Sequence, residues 1–411
     1  IDLALFVLVL DQNSPKTDQE KTSVISHGTL ETLPGTSIQT GSCTCRWHDK
    51  LQLIVTKNSV AGVVWESALM DSTAILRYIS DIYTDLILKL AKDIHGLEYT
   101  LFDKTKISFV SLSEPGKKPT FKRLNVNHSP ELIQLIHLLE TRLADLINQH
   151  EYKTGVIRLD SHIVQKLKLP LDSVFQMCFQ IANYTLYGKM INTLEPITTR
   201  KFRDARTELV PIQSELVARL CKTFLSSNND SVKWELFKRC CEVHLKQYLD
   251  AMRGGGFERH FLAIMHVFRS PEAIDYLNDL NRDIVDLKPI PNIHQGEGGE
   301  IPAFLANPLI DRVQQPELLI LNCGNAALHL FGITPAIDQG FGVGYIIHPD
   351  KTIVTVLLKH RQTQRFLDTF ILVVNQLKKI MRSELNILIQ SADSEVRKAE
   401  LQHLLDATTI E

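Results

Sequence analysis

Residues 63–78 read VVWESALMDSTAILRY and change their hydrophobic period within one short turn. The apolar run before Glu66 is typical of a buried strand, whereas apolar residues recur every three or four positions from Thr73 onward. The stretch therefore predicts a strand that passes through an acidic, polar turn into a helix. Glu66, Ser67 and Asp71 supply that turn with side chains that could take part in chemistry.

The length and composition of the chain indicate a globular protein of two domains. A single core rarely grows beyond about 250–300 residues, and this chain has 411. Hydrophobic residues make up 44% and the net charge is -2, which gives no support for a nucleic-acid partner or an anionic membrane. The opening run IDLALFVLVLD lacks a basic leader and is too short to span a bilayer, so it predicts a buried strand and no transmembrane segment.

The seven cysteines show no pattern of a metal site or a disulfide framework. Their number is odd and no pair has C-x-x-C spacing; Cys43 and Cys45 are two positions apart, and Cys240 and Cys241 are adjacent. We predict reduced, mostly buried thiols in a cytoplasmic protein, and no bound metal.

Two short strands are predicted before the turn, at residues 51–56 and 62–65, joined by a hairpin. Residues 113–120, SEPGKKPT, form a Pro/Gly/Lys break that predicts a domain boundary, dividing the chain into 1–115 and 116–411. Because the chain opens on a core strand, we expect the first of these domains to be incomplete.

The second domain is predicted to mix helices and strands. It begins with several long helical patterns, one starting at Ser129 and Glu131, and continues with strands at 317–321 and 352–358. Strands and helices therefore occur in both halves of the chain. This order predicts an α/β fold with mixed sheets and many helices.

Four segments, in this order, resemble the choline/carnitine acyltransferase family. They are RWHDKLQLIVTKNSVAGVVWE at 46–66, EPITTRKFRDART at 195–207, GGGFERHFLAI at 254–264 and NCGNAALHLFGITPAIDQGFGVGYII at 322–347. Within the family the chain is most similar to fungal carnitine acetyltransferases of the cytoplasmic type. The resemblance covers most of the chain and represents the family's first domain only by its final strands and helix, within residues 1–115.

The resemblance implies two related domains of the CoA-dependent acyltransferase fold, with the active site in a tunnel between them. Acetyl-CoA and carnitine would be the substrates, and no cofactor would be tightly bound. In the family a histidine deprotonates the carnitine hydroxyl, or the CoA thiol in the reverse direction. A serine hydroxyl stabilises the tetrahedral oxyanion.

This sequence departs from the family at the catalytic positions. Aligned on Glu66 and Asp71, Ser67 stands where the family has its histidine, and a serine hydroxyl cannot serve as a general base at neutral pH. Glu66 or Asp71 could replace the base, or both could pair with neighbours and cap the helix. Residues 319–321 are Leu, Ile and Leu where hydroxyl donors are expected, and Asn322 could donate a side-chain amide instead.

The carnitine-binding positions are better preserved. Arg259 falls where the family arginine binds the carnitine carboxylate, and a guanidinium suits that planar group because its donors form a rigid fork. Thr207 matches a second carboxylate contact, whereas Leu194 replaces the tyrosine that usually accompanies it. The alternative for Arg259 is an ordinary surface ion pair.

Further candidates follow from the resemblance. His329 occupies the position whose bulk limits the acyl chain, although ordinary packing would also explain it. Lys166 and Lys168 lie in the segment that meets the CoA 3′-phosphate, although solvated surface lysines are equally common there. His260 and His48 are expected to pack or to lie at the surface.

Two hypotheses remain open from the sequence. The chain could transfer acetyl groups between CoA and carnitine, weakly because the base and the oxyanion donor are replaced. It could instead be a catalytically inactive relative that binds CoA or carnitine, or that partners an active paralogue.

Overall fold

A computed structural model describes residues 4–95, 122–159, 161–269, 307–359 and 362–407, apart from single positions 37, 69, 126, 205 and 308. The predicted domain boundary at 113–120 lies outside these residues. The chain divides into two compact units, the first Ile1–Thr154 with Cys323–Phe331 and the second Gly155–Asn322 with Gly332–Glu411.

The first unit contains a three-stranded sheet. β1 runs parallel to β2, and β2 pairs antiparallel with β3. The hairpin predicted between β2 and β3 is confirmed, because the backbone N–H of Ser59 donates to the Thr56 carbonyl over 2.9 Å and Ser59 has φ 65°. The strands predicted at 51–56 and 62–65 agree with β2 and β3 to within one residue. The three strands of this sheet are β1 Val7–Asp11, β2 Gln52–Thr56 and β3 Ala61–Val64.

Three α-helices of the first unit fall within the described residues, and side-chain caps set where two of them begin. Thr17 and Glu20 form a capping box at the start of the first helix. Ser129 accepts a hydrogen bond from the Leu132 backbone N–H over 3.2 Å, which confirms the predicted start of the third. The helices are α1 Asp18–His27, α2 Ser72–His95 and α3 Pro130–Gln149.

A six-stranded mixed sheet organises the second unit, in the order β4–β9–β8–β7–β5–β6. β7 runs parallel to both β5 and β8, whereas β5 pairs antiparallel with β6 and β8 antiparallel with β9. The mixture of orientations confirms the predicted α/β class. The strands are β4 His150–Ile157, β5 Thr193–Thr198, β6 Thr207–Pro211, β7 Leu318–Asn322, β8 Phe341–Ile347 and β9 Thr352–Lys359.

Eight helices of the second unit fall within the described residues. They are α4 Ser161–Lys166, α5 Leu171–Tyr187, α6 Glu215–Leu225, α7 Asp230–Asp250, α8 Glu258–Arg269, α9 Leu309–Val313, α10 Thr363–Gln390 and α11 Glu395–Ala407. In the part of the chain that the structure describes, no helix is both long and apolar enough to cross a membrane.

Aromatic packing holds α5 against α10 in the core of the second unit. The rings of Phe179 and Phe370 stack with centroids 4.1 Å apart and planes 10° from parallel, and both side chains are fully buried. Phe179 also faces Phe366 and Tyr345. Such offset pairs contribute about 0.5–1.5 kcal/mol beyond the burial of their surface.

Most of the cysteine side chains are buried in the cores as free thiols. All seven are free, and Cys45 is the exposed one. Burial raises the pKa of the Cys221 and Cys323 thiols to about 12, so neither forms a thiolate near neutral pH. These cysteines act as small apolar side chains.

Replacing Phe179 should show how much the second unit depends on this aromatic contact. Phe179→Ala is expected to lower the free energy of unfolding by about 3–5 kcal/mol, because it removes a fully buried ring and leaves a cavity. Urea denaturation measures the change. Leu372→Ala, which truncates an exposed side chain on α10, is the control and should cost under about 0.5 kcal/mol. Equal losses in the two variants would contradict the assignment of the core.

Candidate active site

The turn between β3 and α2 carries the predicted catalytic position. Ser67 lies in this turn with an exposed side chain. Asp71 immediately precedes α2, is 4% exposed, and its Oδ1 accepts a hydrogen bond from the Ala74 backbone N–H over 3.2 Å. This is the geometry of a helix N-cap, the second of the two roles considered for Asp71.

Glu66 lies in the same turn with an exposed side chain. Its Oε1 accepts a hydrogen bond from the Ala68 backbone N–H over 2.7 Å, which folds the carboxylate back onto its own turn. Both carboxylates therefore accept hydrogen bonds from backbone groups of the turn. That Ser67 stands at the family's histidine position stays a prediction. Ser72, at the family's glycine position, is the first residue of α2.

The segment Cys323–Phe331, which contains His329, belongs to the first unit. The ring of Phe331 stacks on Trp65, next to Glu66, with centroids 6.2 Å apart. Asn325 donates to the Ser80 hydroxyl over 2.6 Å. The Nε2 atom of His329 lies 3.1 Å from a carboxylate oxygen of Asp18, and the imidazole is half exposed. His329 thus makes an ion-pair contact, and its predicted effect on acyl length stays a prediction.

The two apolar replacements predicted near the oxyanion and carboxylate sites are neighbours in the sheet. Leu194 on β5 is directly opposite Leu319 on β7 in the parallel register. Leu194 is fully buried, as is Ile320, the residue after Leu319. The two residues that the sequence predicts at hydroxyl-bearing positions of the family pattern are therefore neighbours on adjacent strands.

Asn322 is the last residue of β7, and its amide is oriented by a carboxylate. Its Nδ2 donates to Asp172 Oδ1 over 2.8 Å.

Arg259 and Thr207 lie together in the second unit, although 52 residues separate them. Arg259 Nε donates to the Thr207 carbonyl oxygen over 3.1 Å, and Nη2 donates to the Thr207 hydroxyl over 3.4 Å. The Arg259 side chain is 43% exposed, and its Nη1 is 3.5 Å from Glu258 Oε2. The guanidinium is thus anchored by Thr207, lies beside the Glu258 carboxylate and is partly exposed to solvent.

The backbone around Arg259 is positioned by Glu208, the residue after Thr207. Glu208 Oε1 accepts hydrogen bonds from the backbone N–H groups of Glu258 and Arg259, over 3.0 and 3.1 Å, at the start of α8. Gly256 permits this approach, because a Cβ there would lie 2.3 Å from Glu208 Cγ. The glycine-rich run before Arg259 is therefore required for close packing.

The predicted CoA lysines are solvated. Lys166 ends α4 and Lys168 follows in a left-handed backbone conformation, φ 59°, and both side chains are exposed. His260 and His48 are also exposed. Among the described residues, no three His, Cys, Asp or Glu side chains are grouped so as to hold a metal ion.

A buried polar network in the second unit was not predicted from the sequence. Ser173 Oγ lies 2.7 Å from His244 Nδ1, and His244 Nε2 lies 2.8 Å from Glu195 Oε2. These three side chains are nearly fully buried. A signal was present on α5, where Ser173, Gln176, Gln180 and Asn183 form a polar stripe at helical spacing on an otherwise apolar helix.

The network continues to a second carboxyl group. Glu195 is hydrogen-bonded to Asp172, whose Oδ1 also accepts from Tyr345 Oη over 2.6 Å. Burial, together with the charge of Asp172, raises the pKa of Glu195 to about 7, and the hydrogen bond with His244 opposes the shift. Two carboxyl groups in contact favour sharing one proton.

Ser173, His244 and Glu195 have the residue types of a hydrolytic triad but cannot act as one. Ser173 is 1% exposed, so no substrate can reach its hydroxyl. The network is therefore a structural device that connects α5, α7 and β5.

Residues 1–371 match the family model of the choline/carnitine O-acyltransferases, and the chain belongs to that family. Membership agrees with the CoA-dependent acyltransferase fold that the sequence segments imply. The identification rests on most of the chain and not on the two carboxylate-site residues alone.

Among its relatives is the carnitine O-acetyltransferase YAT2 of Saccharomyces cerevisiae, 34% identical over 424 residues, which cover 93% of this chain and 44% of that protein. Another Saccharomyces cerevisiae protein, whose name assigns it to mitochondrial carnitine O-acetylation, is 32% identical over 388 residues, covering 89% and 52%. The chain spans about half the length of the curated relatives it matches.

A solved structure of a wax ester synthase/diacylglycerol acyltransferase from Marinobacter aquaeolei aligns with a TM-score of 0.38 and 11% identity. That alignment covers 92% of this chain and 80% of the other.

The raised pKa of Glu195 predicts how stability depends on pH. The folded-state pKa of about 7 exceeds the ordinary value of 4.5, so the protonated carboxyl stabilises the fold fully below pH 4.5, and this contribution is lost as pH rises through 7. Between pH 5 and pH 8 the wild type should lose about 2 kcal/mol more unfolding free energy than Glu195→Gln.

Urea denaturation at several pH values measures this difference. The groups facing Glu195 are Asp172, His244, Tyr248 and Tyr345, and all stay in place in the variant. Glu235→Gln, an exposed position on α7, is the matched control and should follow the wild type. Parallel curves for the wild type and Glu195→Gln would show that Glu195 does not titrate in this range.

Proposed function

We propose that this chain binds carnitine through Arg259 and Thr207 and transfers an acetyl group slowly between CoA and carnitine. Acetyl-CoA and carnitine are its substrates in this proposal, with direct attack of one on the other and no acyl-enzyme. Support for the acetyl group comes from the two yeast relatives, both named for carnitine O-acetylation. A cytoplasmic location stays a prediction, since one of these relatives is named as mitochondrial.

The observation that carries the proposal is the contact between Arg259 and Thr207. Its two donor–acceptor pairs join a guanidinium, still 43% exposed, to the threonine that the family pattern assigns to the same carboxylate. A guanidinium fork binds a planar carboxylate with two parallel hydrogen bonds. Choline has no carboxylate, so this arrangement favours carnitine.

The catalytic turn supports slow transfer. A positioned base contributes about 10²–10⁴-fold to such a reaction, and one oxyanion donor about 10²–10³-fold. Ser67 cannot replace the base, and Leu319, Ile320 and Leu321 are apolar where hydroxyl donors are expected. Asn322, oriented by Asp172, is the remaining candidate donor for the oxyanion.

A second candidate function is ligand binding without turnover, alone or beside an active paralogue. The hydrogen bonds of Glu66 and Asp71 to their own turn favour it, because both carboxylates then lack the freedom of a general base. Carnitine and CoA binding would persist in that case, and acetyl transfer would not exceed background.

Removing the Arg259 charge should weaken carnitine binding. In isothermal titration Arg259→Gln is expected to bind carnitine about 10- to 100-fold more weakly, because it loses charge-assisted hydrogen bonds to the carboxylate. Choline binding should not change. Arg253→Gln, an exposed arginine on the same segment, is the control and should bind carnitine normally. Normal carnitine affinity in Arg259→Gln would reject the carboxylate site.

Restoring a histidine should raise the rate. We expect Ser67→His to increase acetyl transfer between CoA and carnitine by about 10²-fold or more, since an imidazole is a far better base than a hydroxyl. Glu66→Gln should leave wild-type turnover unchanged. If Ser67→His binds both substrates and remains at background, position 67 is not catalytic, and the function that remains is binding alone.

A further inference from the structure

A buried carboxyl group lies directly beside the guanidinium of Arg259. Glu258 is the first residue of α8 and is 2% exposed, although it carries an ionisable side chain. Its Oε2 atom lies 3.5 Å from Arg259 Nη1, and within the described part of the chain that oxygen accepts no hydrogen bond. A glutamate is seldom this buried unless a positive charge is beside it. The burial of Glu258 therefore depends on the charge of Arg259.

Burial and the neighbouring charges act in opposite directions on Glu258. Burial raises the pKa of its carboxyl group, the charge of Arg259 lowers it, and the charge of Glu208 raises it. Among the described residues, these two are the charged groups that face Glu258, Arg259 from the same helix and Glu208 from β6. The resulting pKa is above the ordinary value, so Glu258 holds a proton more readily than an exposed glutamate does.

Glu208 is held in this cluster by the backbone. Its Oε1 accepts hydrogen bonds from the backbone N–H groups of Glu258 and Arg259, over 3.0 and 3.1 Å. A Cβ at Gly256 would lie 2.3 Å from Glu208 Cγ, so the chain passes close to this side chain. Two carboxyl groups are therefore kept at the start of α8, where the guanidinium of Arg259 also lies.

A ligand carboxylate at Arg259 would be the third carboxyl group of this cluster. It would bring a negative charge close to Glu258 and would share the guanidinium charge that favours the ionised form of Glu258. Carboxylates this close to one another cannot all stay ionised, and one of them takes a proton. The ligand carboxylate receives charge-assisted hydrogen bonds from the guanidinium, whereas Glu258 is buried. The proton is therefore expected on Glu258.

We infer that Glu258 takes up one proton from solvent when the carnitine carboxylate binds Arg259. This inference rests on the proposed function, which assigns carnitine to Arg259. The step converts the Glu258 carboxylate into a carboxylic acid, and no bond of carnitine changes. Carnitine affinity is then highest below the pKa of Glu258 in the free protein, and it is lost as pH rises through the higher pKa in the complex. Glu258 thus determines the pH range in which the site is occupied.

Isothermal titration of carnitine into the full chain, from about pH 5.5 to about pH 8.5, measures this coupling. We expect the wild-type affinity to fall by about tenfold over the range, because a like charge within a few Å shifts a pKa by about one unit or more. Repeating the titration at about pH 6.5 in Mes and in imidazole, two buffers with different ionisation enthalpies, counts the protons taken up. The count should lie above zero and not exceed one.

Glu258→Gln keeps the size of the side chain and cannot ionise. We expect this variant to match the wild type at the acidic end, to bind carnitine about tenfold more tightly at the basic end, and to take up no proton. Comparing it with the wild type cancels contributions from other titrating groups such as Glu195. Glu235→Gln, an exposed position on α7, is the control and should keep the wild-type pH profile.

The wild-type proton count needs no substitution, so it tests the inference even if Glu258→Gln fails to fold. Carnitine binding by the wild type without proton uptake would overturn the inference, as would wild-type uptake that persists in a folded Glu258→Gln.

Arg259→Gln separates this inference from the proposed function. If carnitine does not bind, or binds equally well to Arg259→Gln, the carboxylate site itself is rejected and the inference falls with it. If binding depends on Arg259 but takes up no proton, the proposed site stands and only the role of Glu258 is wrong.

Discussion

The second unit depends on keeping the buried Glu195 carboxyl hydrogen-bonded. An ionisable group inside a core costs several kcal/mol when it lacks partners, so the partners must be held in place. They come from separate elements: Asp172 at the start of α5 and His244 on α7, with Ser173 next to Asp172 fixing the other imidazole nitrogen. Through Asp172 the same network reaches β7 and β8. One requirement therefore constrains the placement of two helices and three strands.

The placement of Glu195 on β5 also positions β6, the strand that contains Thr207. Glu195 is adjacent to Leu194, and successive strand residues point to opposite faces, so holding Glu195 also fixes the face of Leu194. The antiparallel register then places Thr198 opposite Thr207. Thr207 in turn contacts the guanidinium of Arg259. The partly exposed guanidinium of Arg259 is thus connected to the buried carboxyl group of Glu195 through β5 and β6.

The sequence predicted elements well where local rules decide. The periodicity change at Thr73 and the acidic turn before it located β3 and α2, and Ser129 located a helix start, because spacing and caps act within a few residues. The sequence also identified Arg259 and Thr207 as candidate binding residues, but it did not predict the contact between them. The sequence did not predict the network around Glu195, because His244 and Asp172 lie 49 and 23 residues from Glu195 along the chain. The three side chains meet only in the folded protein. His329, too, pairs with Asp18 across 311 residues.

The fold restrains the residues around Arg259 more tightly than it restrains position 67. The backbone around Arg259 is closely packed. Glu208 fills the space that any side chain at Gly256 would need, and it caps the helix that carries Arg259. Position 67 is exposed, and its neighbours Glu66 and Asp71 accept hydrogen bonds from the Ala68 and Ala74 backbone N–H groups of the turn and the start of α2. A Cβ at Gly256 would lie 2.3 Å from Glu208 Cγ, so a substitution there disturbs packing more than one at the exposed position 67. This difference in packing agrees with the proposal that the carnitine-binding residues are kept while the general base is replaced.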